Sequence, residues 1–116
     1  MDNFRTTYNA TCTSKSIIDK MDKTGLLPGV KNPKYSEILE ALSVEGYVCY
    51  AEPVDTFATA SRMAWCPTLV YRKKGNAELT RMCFPKDYLS IQYTDAIDDA
   101  IDSALDIILS NEAKCL

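Results

Sequence analysis

The sequence predicts an α+β fold: a small antiparallel sheet of about three strands with helices packed on one face, in the order helix, helix, strand, strand, strand, helix. Three observations lead there. Apolar residues recur at helical spacing around Ile17, around Ile38 and from Ile97 to Ile108. Between the second and third of these stretches lie short runs dense in β-favouring residues, at 47–51, 68–72 and 78–84. Lys73-Lys74-Gly75-Asn76 then joins the last two runs as a hairpin turn, with Gly75 and Asn76 able to take positive φ. At 116 residues, 47% hydrophobic and 25% charged, the chain suits a single domain over 1–116 with one core.

Taken in order, Thr13 caps a helix through Ile17, Ile18 and Met21, and Gly25 ends it in a left-handed position. Leu26-Leu27-Pro28-Gly29 reads as a turn. Asn32 as N-cap and Pro33 at the first helical position start a second helix carrying Tyr35, Ile38, Leu39 and Leu42, which Gly46 closes. The strand at 47–51 is expected to stop before Pro53. Residues 55–64 fit either a short helix capped by Asp55 or a loop that holds Trp65 near the surface. Pro85 ends the hairpin, 89–92 adds a brief extended piece, and Thr94 caps a last helix whose core stripe is Ile97, Ala100, Ile101, Ala104, Leu105 and Ile108. The sheet face away from the helices is then solvated or open to a partner.

Charge is divided along the chain. Residues 1–86 hold 12 basic and 9 acidic residues, whereas 87–116 hold 1 basic and 7 acidic. No apolar run approaches the ~18 residues a bilayer span needs, and the N-terminus lacks the apolar region of a secretory signal, so no membrane association and a cytoplasmic location are expected. Five cysteines without a C-x-x-C pair fit reduced, mostly buried thiols there.

Most enzyme chemistry lacks its residues. With no histidine, Ser-His and Cys-His nucleophiles, His-ligated metals and imidazole acid–base catalysis are excluded. The cysteines stand at least 17 residues apart, too far for a thiolate zinc motif, and four glycines make no phosphate-binding loop. No catalytic residue, metal site or cofactor is therefore expected, and the chain reads as a non-enzymatic protein.

Two surfaces remain as contact candidates. Arg72, Lys73 and Lys74, with Trp65 upstream, offer cations and an aromatic ring, the pairing that nucleic-acid binding uses. The core element order is shared with double-stranded-RNA-binding domains, but those carry basic residues at the start of the last helix, where this chain has Asp95, Asp98 and Asp99. RNA binding by that mode is disfavoured, and the basic set stands as a secondary contact.

The stronger signal is the stripe Asp95, Asp98, Asp99, Asp102 and Asp106, set at helical spacing over about 16 Å. Like charges at i,i+4 cost roughly 0.2–0.5 kcal/mol per pair, and the helix dipole offsets this only in the first turn. Asp102 and Asp106 thus need another account: a solvated face, intramolecular pairing with the basic segment, or a partner protein with a basic surface.

The stretch Tyr93-Thr94-Asp95-Ala96-Ile97-Asp98-Asp99-Ala100-Ile101, with Thr7-Tyr8 and Thr13-Ser14 near the start, resembles a class of uncharacterised phage and mobile-element accessory proteins of gut bacteria. That class ends two or three strands with an aromatic-Thr-x-x-Ala-Leu/Ile amphipathic helix; this chain departs from it in Asp density. The resemblance implies a phage or mobile-element accessory protein and brings no activity or functional residue with it. Together with the acidic stripe, it makes the leading expectation a non-enzymatic binding protein, a phage-encoded modulator or inhibitor of a host or defence protein that acts through the Asp95–Asp106 face. An alternative is a virion or assembly component that oligomerises through its sheet, and a further one a nucleic-acid or small-ligand binding module.

Overall fold

The computed structural model describes residues 4–55, 63–72, 79–83 and 93–114. The elements are α1 (Phe4–Asn9), α2 (Lys15–Thr24), α3 (Tyr35–Val44), β1 (Tyr47–Asp55), β2 (Met63–Arg72), β3 (Leu79–Cys83) and α4 (Tyr93–Lys114). The α+β class and the antiparallel pairing agree with the sequence reading. The order differs at the start, because α1 precedes the two helices that periodicity reveals: six residues are too few to display a helical repeat.

Strands β1 and β2 pair from Tyr47↔Tyr71 to Asp55↔Met63, and β3 adds beside β2 from Thr68↔Cys83 to Arg72↔Leu79. The sheet order is β1-β2-β3. Both ends of the stretch at 55–64 therefore belong to strands, while 56–62 lie outside the described residues. Pro53 does not stop β1, because an edge strand needs no inter-strand N–H on its outer side. The hairpin connection at 73–78 and the extended piece at 89–92 lie outside the described residues.

Alternation along the strands assigns two faces. Tyr47, Cys49 and Ala51 of β1, with Leu69 and Tyr71 of β2, are buried and point to the helices. Tyr47 stacks on Tyr71 at 5.5 Å between ring centroids, and Trp65 meets Tyr93 of α4 edge-on at 4.8 Å. On the other face Val48 is 49% exposed, yet Cys66 and Thr68 are buried. That face is thus open beside Val48 and closed around Thr68, not solvated throughout as alternation suggests.

Helix α4 lies across β1 and β2, and α2 packs on α4 rather than on the sheet. Ala96, Ala100 and Ala104 are wholly buried, and their small side chains allow close approach: the Cys49 thiol reaches the Ala100 carbonyl at 3.6 Å. Ile97, Ile101 and Leu105 join Ile17, Ile38 and Leu42 in one core. Burying side chains of this size contributes about 1.5–3 kcal/mol each.

The helix starts shift by a residue or two from the sequence reading. Ser14, not Thr13, caps α2, its hydroxyl accepting from the Ile17 N–H at 3.4 Å, and Gly25 closes the helix at φ 68°. Helix α3 begins at Tyr35 because the residues before it are held extended: Cys12 N–H donates to the Pro33 carbonyl at 2.9 Å and Tyr35 N–H to the Ala10 carbonyl at 3.0 Å. This bridge places Cys12 and Tyr35 together, over α4.

Ile101 sits at the centre of the core. Ile101→Ala is predicted to lower stability by about 2–5 kcal/mol in urea unfolding while leaving the denaturant slope unchanged; a loss under 1 kcal/mol would place the helix on the surface.

Candidate functional site

The acidic stripe runs along α4 where that helix meets its helical neighbours, and the structure divides it. Asp98 is half-buried and accepts a 2.5 Å hydrogen bond from the Tyr35 hydroxyl. Asp102 accepts from the Ser16 hydroxyl at 3.0 Å and pairs with the Lys20 ammonium at 2.9 Å. Asp106 pairs with the same ammonium at 2.8 Å. Ser16 and Lys20 stand one turn apart on α2, so the α2–α4 packing brings a donor and a cation onto two successive carboxylates. Asp95 is exposed in the first turn, and Asp99 is half-buried. Among the described residues these two have no hydrogen-bond or ion-pair partner.

The stripe therefore does not diverge into water as a unit. Three carboxylates are satisfied within the chain; the other two, one turn apart, face outward. Thr94 is already helical rather than a cap, and its hydroxyl meets that of buried Thr7 at 3.0 Å, tying α1 to α4.

Burial pushes the Asp98 carboxyl up from its ordinary range, the Tyr35 hydrogen bond opposes this, and Asp95, Asp99 and Asp102 push the same way as burial. Asp99 is raised by burial first and then by Asp102 and Asp95, with no donor to offset them. Tyr35 is held protonated by burial and by the Asp98 carboxylate that accepts its proton. The Cys12 thiol beside it is raised mainly by burial, and the Cys49 thiol is pushed up to about 12 by burial alone. Lys20 is held charged, chiefly by its bond to Asp106. These environments keep thiols and phenol protonated; an activated nucleophile needs the reverse.

The secondary contact set is not brought together in the described structure. Trp65 packs its edge relation with Tyr93 against the core and is not a free stacking platform. Arg72 ends β2, while Lys73 and Lys74 lie outside the described residues. Cys12, Cys49 and Cys66 are buried and not joined in a disulfide. Among the described residues no three metal-ligating side chains converge, and no described helix is long and apolar enough to cross a membrane.

Sequence reasoning misses Ser16, Lys20 and Tyr35 as partners of the stripe. The i,i+4 pair Ser16 and Lys20 is a visible signal, but which helix it would face is set by tertiary packing. No protein-family model matches the chain, and neither a curated protein nor a solved structure shows significant similarity to it.

Because Asp98 is raised in the folded state, its contribution to stability is full below the unfolded carboxyl value and is lost as pH rises through the folded one. Tyr35→Phe removes the donor that limits this loss. Its cost is predicted to grow from acid to neutral pH, reaching about 1–3 kcal/mol at pH 7 by urea unfolding. A cost that does not vary with pH would show that the phenol is not bonded to an ionised carboxylate.

Proposed function

We propose that the chain is a non-enzymatic binding domain that engages a basic protein surface through Asp95 and Asp99. One observation carries this reading: Asp99 is partly desolvated, raised by its neighbours, and has no donor among the described residues. A carboxylate in that state gains from a cation supplied by a partner, since an arginine or lysine restores the hydrogen bonds that burial removed. Asp95, one turn away and about 6 Å along the axis, adds to the attraction for the same partner surface. Asp98, Asp102 and Asp106 serve the fold in this account and shape the field around the contact. The resemblance of α4 to phage and mobile-element accessory proteins makes a host or defence protein in the cytoplasm the partner to test first.

The non-enzymatic part of the proposal is supported by the burial that raises the Cys12 and Cys49 thiols and the Tyr35 phenol, which leaves these three groups poor nucleophiles.

Affinity capture from host lysate separates the two halves of the stripe. Asp95→Asn with Asp99→Asn is expected to leave unfolding unchanged within about 0.5 kcal/mol and to weaken capture, with an association rate that falls steeply as salt rises. Capture equal to that of the unmodified chain would remove this face from the function.

A further inference from the structure

The link between α2 and α3 is unusually apolar for a surface connection. Leu27-Pro28-Gly29-Val30 forms a type II turn: Val30 N–H donates to the Leu27 carbonyl at 3.2 Å, proline stands at the second position and Gly29 at the third with φ 83°. Proline and glycine suit these two positions, so the turn is preorganised. It nevertheless leaves Val30 39% exposed, with Leu26 and Leu27 only half-buried.

Two hollows flank this turn, each of about 360 Å³. One lies against α2, walled by Ile18, Met21, Val30 and Pro33. The other lies against α3, walled by Leu26, Ala41 and Val44, the last of these 80% exposed. Leu27 borders both, so the two hollows adjoin at that side chain as a groove astride it. Volumes of roughly 300–1,000 Å³ are those of clefts that take a ligand-sized group.

The rim has one sign. Asp22, Glu37, Glu40 and Glu45 line the two hollows, against a single cation, Lys31. All four acids are exposed; Glu37 accepts from the Lys34 N–H at 2.9 Å. Asp22, Glu40 and Glu45 make no ion pair among the described residues. An apolar floor inside an acidic rim selects a complementary segment: apolar anchors flanked by lysine or arginine.

We infer that the groove astride Leu27 is a docking site for a basic amphipathic segment of a partner protein, one large apolar side chain entering each hollow and basic residues meeting Asp22, Glu40 and Glu45. The site is separate from Asp95 and Asp99. It rests on the protein-binding reading only in that both surfaces select a basic partner.

The test is a titration of ¹⁵N-labelled chain with three synthetic peptides: an amphipathic Leu/Lys peptide, the same peptide with serine for leucine, and the same with glutamate for lysine. Saturable amide shifts at Leu26, Leu27, Gly29 and Val30 and at 41–45 are expected with the Leu/Lys peptide alone. Val44→Asp, an exposed position that does not endanger folding, should weaken that binding on the order of tenfold, and Glu40→Gln with Glu45→Gln should weaken it and flatten its salt dependence. Asp95→Asn with Asp99→Asn should leave it unchanged, so the groove and the α4 face fail or stand independently. Equal shifts with the Ser/Lys peptide, shifts confined to α4, or no shifts with any peptide would overturn the proposal. So would shifts at the same residues on changing protein concentration alone, which would identify a second copy as the occupant.

Discussion

Helix α4 is enclosed by the sheet on one side and by α2 on another, and it carries five aspartates into that position. A helix so placed must be apolar where it is covered and must have partners for its charges at the borders of the covered zone. The sequence meets the first demand with Ala96, Ala100 and Ala104, small enough for close approach of the sheet, and with Ile97, Ile101 and Leu105, large enough to fill the core. It meets the second from two separate helices: Tyr35 from α3, and Ser16 with Lys20 from α2. The 10–12 and 33–35 backbone bridge then holds Tyr35 over Asp98.

This arrangement changes what the acidity means. Five like charges on one face suggest a track for an extended cationic partner. Once Lys20 is shared between Asp102 and Asp106, half of their formal charge is offset, and the Asp95–Asp99 end keeps charge that no described side chain answers. The acid-rimmed groove at the α2–α3 turn lies on other elements and owes nothing to the stripe. Its apolar floor is exposed because the turn leaves Val30 at the surface and lets Leu26 and Leu27 pack against the core only in part.

Local patterns in the sequence state the α+β class, the antiparallel pairing, Gly25 as a helix stop and the core stripe of α4, because each depends on residues within a few positions of one another. Features set by distant segments are not legible in the same way. Helix α1 is too short to show a period, and Trp65 reads as a surface residue until Tyr93 is brought against it from 28 positions later. Proline at 53 looks like a strand end unless β1 is known to be an edge. The pairing of Lys20 with Asp102 and Asp106 spans more than 80 residues, and in the sequence Lys20 stands between Asp19 and Asp22, which are equally eligible neighbours.

The central claim is that Lys20 of α2 pairs with both Asp102 and Asp106 and offsets part of their charge, and a double-mutant cycle tests it most directly. Lys20→Met is combined with Asp102→Asn plus Asp106→Asn, and stability is measured by urea unfolding at low and high salt. Both carboxylates are partly exposed, at 35% and 61%, so screening limits the effect. The account predicts a favourable coupling of about 0.5–1 kcal/mol at low salt that shrinks as salt rises. Strict additivity at both salt concentrations would contradict it and return Asp102 and Asp106 to solvent.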